Sequence, residues 1–430
     1  MKLSKVLLLF FLLPMCILAQ DGFVRKTDGR LTLDGKPYYY VGTNAWYLPQ
    51  LASTGEGGDT LRLKRELDKL SELGIKNIRI LVGADGQPTS RKVQPILQTE
   101  PGVYDQTLLV ALDRLLVQLR QRGMKAVLYL NNSWSWSGGY ASYLRWADGE
   151  TTEKVDSMAW SEWCRYAAHF SQNPRAQELF LNHVRNIVSR VNSITNQRYV
   201  DDPAIMAWQI GNEPRAFSVA SKEPFARWIE ETAALIKQLD PVHLLSVGSE
   251  GSMGCELDIK LYARLHSDPN IDYLTIHIWP QNWSWVKRGE VATNKQKELM
   301  RRQLDTVYRM TENYIRMHSA LARDLQKPLV IEEFGYPRDG NLYTPASTTR
   351  AKDAYYNFIL NHLLKSHRDN NVLCGINFWG WNGEARTQHL WWQPGDAYMA
   401  DPAQEEQGLY GVFDTDHTVR VLKRAVRSLR

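Results

Sequence analysis

Closely spaced cysteines are missing from this sequence. Cys16 lies in an N-terminal apolar run, and Cys164, Cys255 and Cys374 are scattered. Without a CxxC pair, a dithiol redox centre and a zinc ribbon are excluded. Three cysteines beyond the N-terminus cannot close a disulfide framework; one disulfide with a free thiol and three buried thiols both stay open. The ten histidines are equally dispersed, with no HExxH or paired spacing, so no metal site is expected. Neither GxGxxG nor GxxxxGK[ST] occurs, and with them goes the expectation of a nucleotide cofactor. G-x-S-x-G is absent as well; Gly248-Ser249-Glu250 and Gly251-Ser252-Met253-Gly254 do not match it, which argues against a serine hydrolase. The formal charge of +5 is small for 430 residues and no Lys/Arg block stands out, so nucleic-acid binding is not suggested.

Long apolar runs are rare too. Val6 to Leu13 is unbroken, preceded by two lysines and followed by Cys16-Ile17-Leu18-Ala19 before Gln20. That is the pattern of a signal peptide over residues 1–19, cut after Ala19, and it is shorter than the roughly 20 residues that span a bilayer. Acylation at Cys16 is a weaker alternative, because Met15 is bulky where such sites take a small residue. An exported protein, secreted or periplasmic, without a permanent membrane span is expected. Residues 20–430 carry no Ser/Pro/Gly-rich linker, which favours one elaborated domain.

What is present is a strand–helix rhythm. Asp59 to Leu73 places Leu63, Leu67, Leu70 and Leu73 at helical spacing, Gly74 stops it, and Ile78–Val82 follows as a strand. Thr107 to Gln121 repeats the pattern with Leu109, Leu112, Leu115, Leu116 and Leu119, then Gly123 and Ala126–Asn131. Further strands are expected at Tyr39–Asn44, Ile205–Gly211, Leu244–Ser249, Leu274–His277, Leu329–Glu333 and Gly375–Trp379, with helices such as Ala176–Val191 and Phe225–Leu239 between them. Eight strands alternating with helices predict an α/β fold, a (β/α)8 TIM barrel; an open doubly wound sheet is the alternative.

In a barrel, chemistry collects at the C-terminal strand ends. Those ends read Asn44-Ala45-Trp46, Arg79, Asn131-Asn132-Ser133-Trp134, Asn212-Glu213-Pro214-Arg215, Glu250, His277-Ile278-Trp279, Glu332-Glu333-Phe334-Gly335 and Asn377-Phe378-Trp379. Amides and charged groups hydrogen-bond sugar hydroxyls, and indoles pack on the apolar faces of pyranose rings. Tryptophan is unusually frequent, fifteen against eleven phenylalanines, which fits such a surface as well as a large core. Glycoside cleavage needs one carboxylic acid to protonate the leaving oxygen and a second carboxylate to attack or stabilise the cation. Glu213 and Glu333 end apolar strands, and alternation of side chains allows only one of Glu332 and Glu333 to face the cleft.

At these residues the sequence resembles glycoside hydrolase family 5, of the clan of retaining barrel glycosidases. The resemblance rests on Asn212-Glu213-Pro214, Glu333-Phe334-Gly335, Arg79 and His277. It implies Glu213 as acid/base and Glu333 as nucleophile, about 5–5.5 Å apart as retention requires. Arg79, Asn212, His277 and Trp379 would line the −1 sugar site, with Arg79 orienting the nucleophile and Asn212 binding the 2-hydroxyl. Gly42-Thr43-Asn44, the 131–134 and 202–208 segments, Asn212-Glu213-Pro214-Arg215 and Phe378-Trp379-Gly380-Trp381 resemble the β-mannanase branch. The implied activity is endo-1,4-β-mannanase on mannan, glucomannan or galactomannan, by a monomer without cofactor or metal. Asn44, Trp46, Asn131, Trp134, Trp279 and Arg386 join the candidate substrate contacts, and Trp283, Trp285, Trp391 and Trp392 are candidates for flanking subsites. The family usually carries Tyr two residues after the strand-six histidine, touching the nucleophile; here Trp279 stands there, and its role is open. Ser133 also departs from the pattern before Trp134. An exo-acting β-mannosidase fits if a loop closes one end of the cleft, and His389 to Tyr398 is the candidate wall. A β-1,4-glucanase would use the same two glutamates, and a non-catalytic carbohydrate-binding barrel is the reading from another class.

Overall fold

The computed structural model describes residues 21–89, 91–288 and 297–429. The expected leader at 1–19, including Cys16, lies outside the described residues. Eight parallel strands run in sequence: β1 Tyr40–Asn44, β2 Asn77–Leu81, β3 Lys125–Tyr129, β4 Ile205–Gln209, β5 Leu244–Ser246, β6 Leu274–Ile278, β7 Leu329–Phe334 and β8 Leu373–Phe378. Each pairs with its neighbour in chain order except β5 with β6, and β8 returns to pair with β1. The seam between β5 and β6 is bridged by single bonds: Asp272 N–H donates to Leu245 O at 2.8 Å and His277 N–H to Glu250 O at 3.1 Å. The sheet is therefore a (β/α)8 barrel, as the rhythm of the sequence predicts.

Eight helices form the outer ring: α1 Thr60–Leu73, α2 Gln106–Gln121, α3 Pro174–Val188, α4 Lys222–Leu239, α5 Ile259–Ser267, α6 Lys297–Asp324, α7 Arg350–Arg368 and α8 Thr418–Ser428. The local chemistry that starts and stops them is plain in α1. Asp59 caps its first turn, accepting from Arg62 N–H at 2.8 Å, and Gly74 ends it at φ 79°. Leu63, Leu67, Leu70 and Leu73 form its buried stripe against the sheet, each worth about 1.5–3 kcal/mol relative to exposure. An insertion between β3 and α3 adds the helices Gly139–Asp148, Thr152–Asp156 and Trp160–Ala168.

The N-terminal end of the barrel is plugged. An antiparallel sheet of Val24–Thr27, Arg30–Leu33 and Lys36–Pro37 buries Val24 and Leu31 against Tyr40, Val127, Met206, Tyr273 and Val330. Access is left to the opposite end, where the strands finish. Cys164, Cys255 and Cys374 are all free thiols, the last two buried. Among the described residues no helix is long and apolar enough to cross a membrane.

Candidate active site

Glu213 follows β4 with φ 51°, a left-handed conformation uncommon for a side chain of this size, and its N–H donates to Gly248 O at 3.0 Å. Opposite it, Glu333 stands in β7 at a bulge: β6 and β7 pair Ile276 with Ile331 and then His277 with Glu333, so Glu332 is the extra residue. A carboxylate oxygen of Glu213 and one of Glu333 lie within 4.8 Å of each other, with a ring nitrogen of His277 in the same cluster. Their oxygens are already met by donors. Arg79 Nη1 donates to Glu333 Oε1 at 2.5 Å and Trp279 Nε1 to Oε2 at 3.2 Å. The Trp134 indole N–H donates to Glu213 Oε2, and His277 Nδ1 is 2.7 Å from Oε1.

Arg79 is the fully buried centre beneath this pair. Besides Glu333 it reaches Gln209 Oε1 (2.7 Å), Asn44 Oδ1 (3.1 Å) and Asn212 Oδ1 (2.8 Å), and its guanidinium lies 4.5 Å from the Tyr129 ring centroid. A planar fork satisfied on all sides cannot drift, which fixes the oxygen it holds. Burial raises both glutamates, opposed at Glu213 chiefly by Arg215; at Glu333 the charge of Glu213 adds to burial while Arg79 opposes it. Two carboxyls this close and this buried hold a proton between them more readily than either would alone. Burial and the Arg79 charge hold His277 well below its usual value, which favours the neutral ring whose Nδ1 lies 2.7 Å from Glu213 Oε1.

The two carboxyls open into a cavity of about 520 Å³ whose lining includes seven of the fifteen tryptophans: Trp134, Trp136, Trp160, Trp163, Trp279, Trp283 and Trp379. Trp379 and Trp279 meet edge to face at 5.8 Å over Glu333. Gly335 makes this possible, because a Cβ there would stand 2.5 Å from the Trp279 ring. Trp279 thus supplies the donor to Glu333 for which the family pattern has Tyr. Arg215 and Glu250, 2.5 Å apart, form the wall behind Glu213. Burial pushes the Glu250 carboxyl up to about 7, with Arg215 opposing.

Several sequence expectations need correction. Trp46 is not in the cleft: it is 3% exposed, donates to Ala400 O at 2.7 Å, and packs on Trp136 at 5.6 Å. Arg386 lies on another face, donating to Asp414 at 2.8 Å beside a separate cavity of about 570 Å³. The cause is the short strand Trp381–Gly383, which pairs with Val412–Phe413 and carries the chain away from the barrel mouth. Trp392 lines that outer cavity, and Trp391 a third one shared with Arg288. Trp285 packs behind Trp283 at 5.1 Å. Asn44 and Asn131 lie under the floor: Asn44 ties Arg79 to Glu332 O, and Asn131 Oδ1 accepts from the Asn132 N–H. Of Glu332 and Glu333 only Glu333 lines the cleft; Glu332 lies inside the barrel, accepting from Gln209 and Tyr273, 3.8 Å from Arg79 Nε. The cavity residues that sequence reasoning missed include Trp160, Trp163, Trp136 and Glu405. The first two had a legible signal, tryptophans three residues apart in the insertion after strand three.

This geometry has relatives. The family model described as GH family 5 beta-mannosidase-like matches residues 21–430. Mannan endo-1,4-beta-mannosidase 1 of Oryza sativa subsp. japonica is 31% identical over 374 residues, covering 83% of this chain and 78% of its own. The solved glycoside hydrolase family 5 mannosidase of Rhizomucor miehei superposes with a TM-score of 0.85 at 32% identity, over 96% of this chain and 98% of that one. The endo-1,4-beta-mannanase of Rhizomucor miehei, 22% identical with a TM-score of 0.65, shares the fold. A chain matched over its whole described length, with two buried glutamates facing each other across an indole-lined cleft, belongs to glycoside hydrolase family 5, in its β-mannosidase-like group, and is a glycoside hydrolase.

Proposed function

We propose that the protein is a retaining β-mannan hydrolase that removes mannose from the non-reducing ends of β-1,4-linked chains and oligosaccharides. Glu333 is the nucleophile and Glu213 the acid/base. Glu333, held by Arg79 and Trp279, attacks the anomeric carbon while Glu213 gives its proton to the leaving oxygen. Glu213, now a carboxylate oriented by His277 and the Trp134 N–H group, takes a proton from water as that water attacks the glycosyl–Glu333 ester. Two inversions leave the β configuration intact. Close approach of the two carboxyls suits this double displacement, since an inverting pair needs about 6.5–9.5 Å to admit a water.

End-wise action is carried by one observation, the wall formed by the segment after β8. Its 398–411 stretch lies against the end of β1. Ala400 covers Trp46, and Asp401 accepts from the N–H groups of Gly408 (2.9 Å), Tyr410 (3.2 Å) and Gly411 (3.3 Å). The Gln407 amide ties the carbonyls of Asp401, Pro402 and Glu405 at 2.9–3.1 Å. A loop so bonded does not swing aside, and its Pro402, Gln404 and Glu405 line the cavity together with Glu333 and Trp379. The expected wall segment His389 to Tyr398 is joined to this loop: Trp391 bridges to Glu406, Gln407 N–H donates to Leu390 O at 2.9 Å, and Tyr398, stacked on Trp392, backs Trp46 at 6.4 Å. The name of the Rhizomucor mannosidase supports this reading, and those of the rice and other plant relatives support endo action as the second reading. The leader-like N-terminus supports action after export.

Timed product analysis on mannan tests both. Mannose alone from the first time points is the expected result, and a ladder of oligosaccharides would replace the end-wise reading with the endo one. Rates on carboxymethyl-cellulose exceeding those on mannan would overturn the substrate.

A further inference from the structure

Beyond Glu213 the cleft continues onto a surface that the chemistry of cleavage does not use. Trp134, whose N–H meets Glu213, is one of three near-parallel indoles. Trp160 lies 5.8 Å from it at 23°, Trp163 lies 6.0 Å from it at 23°, and those two are 5.4 Å apart at 14°. Phe217 braces the stack edge-on, 5.6 Å from Trp134 and 5.5 Å from Trp163. Arg215 lies over Trp134 at 5.2 Å. Trp163 is buried, whereas Trp160 is 64% exposed.

A lone exposed apolar side chain on a surface is ordinary. Trp160 differs because it lines the same cavity as Glu213 and Glu333, facing a wall that includes Met253 and Trp283. It is also held rigid by its neighbours, so little side-chain freedom is lost when a ligand covers it. The direction matters as well. The acid/base stands on the leaving-group side of the scissile bond, so a cluster that joins Trp134, bonded to Glu213, to the exposed Trp160 lies on the side of the departing saccharide.

We propose that Trp160, seated on the Trp134 and Trp163 rings, is the platform of a leaving-group subsite beyond +1 that binds a β-linked hexopyranose of the substrate by its apolar ring face. This rests on the reading of Glu213 as the acid/base. The subsite makes the enzyme prefer a saccharide long enough to reach it, so mannotriose should be a better substrate than mannobiose.

The test is kinetics of Trp160→Ala and Trp160→Tyr on mannotriose, mannobiose and 4-nitrophenyl β-mannoside. The two shorter substrates leave the platform empty. Trp160→Ala should lower kcat/KM on mannotriose about tenfold, equivalent to about 1.4 kcal/mol, and change the two shorter substrates by less than about twofold. Trp160→Tyr, which keeps an aromatic face, should retain most of the mannotriose rate. Equal losses on all three substrates would reduce Trp160 to a structural residue, and an unchanged mannotriose rate would remove the subsite. Internal cleavage of mannan by the unmodified enzyme would sink the end-wise reading alone, because the leaving side is the same for either mode. A Glu213→Ala enzyme whose loss is independent of leaving-group acidity would instead remove the premise about direction.

Discussion

Arg79 is where the geometry makes its most exposed claim. Arg79→Lys keeps the charge and removes the fork. Lysine can follow Glu333 with its single nitrogen, but it leaves Gln209 Oε1 and Asn212 Oδ1 without the donors they now have at 2.7 and 2.8 Å. A buried acceptor left unmet costs about 1–3 kcal/mol, so the two together cost about 2–6 kcal/mol. Part of this falls on folding, as a melting temperature lowered by several degrees. The part that falls on the placement of Glu333 appears in the rate. If half of it does, kcat/KM drops roughly 5- to 160-fold at 1.36 kcal/mol per decade.

Arg79→Met separates charge from shape. Burial and the Glu213 charge raise the Glu333 carboxyl, and Arg79 opposes them. Without the cation the carboxyl rises further. The nucleophile must be ionised, so the acidic limb of the kcat/KM–pH profile on 4-nitrophenyl β-mannoside moves to higher pH. In Arg79→Lys that limb should move little. The reasoning is refuted by a folded Arg79→Met enzyme, verified by its melting transition, that keeps its rate and shows an acidic limb where the unmodified enzyme has it.

Glu333→Ala should abolish turnover and be partly rescued by azide, with the α-glycosyl azide identified by NMR; a β product would assign the nucleophile elsewhere. Glu213→Ala should lose most on manno-oligosaccharides and least on aryl mannosides with acidic leaving groups, read as a steep dependence of kcat/KM on leaving-group pKa. Glu332→Gln should lower the melting temperature yet leave kcat/KM on the aryl mannoside within about tenfold, since its carboxylate bonds with Gln209 and Tyr273 beneath the floor. Asp113 is a stability site. Burial would raise its carboxyl, but Arg190, Tyr199 and Ser193 outweigh that and lower it. Its stabilisation is therefore complete above the ordinary aspartate range near pH 4 and disappears as pH falls through the lowered value. Asp113→Asn should cost about 3–5 kcal/mol at pH 7, and the gap in melting temperature between variant and parent should narrow in acid.

The parts legible in the sequence were those decided by near neighbours along the chain. Leucines at helical spacing with Gly74 or Gly123 behind them announce a helix and its stop, and the apolar runs that follow can only be buried strands. Glu213 and Glu333 were found because each ends such a run, and their strand order sets them across the barrel mouth. The misplaced residues depend on distant ones. Trp46 reads as a strand-end indole facing a sugar, but its partner Ala400 lies 354 residues further on. Arg386 follows an aromatic strand end in sequence, yet pairing of Trp381–Gly383 with Val412–Phe413 turns it outward. Alternation lets only one of Glu332 and Glu333 face the cleft, and Glu333 is the one that lines it; the bulge beside His277 decides where the other goes and keeps Glu332 inside the barrel. That irregularity is what lets both glutamates serve one arginine, Glu332 from within the barrel and Glu333 from its mouth. A regular strand would turn one of them away from Arg79. The bulge is thus part of how the nucleophile is positioned, and no local pattern in the sequence could reveal it, because it is defined by register against β6.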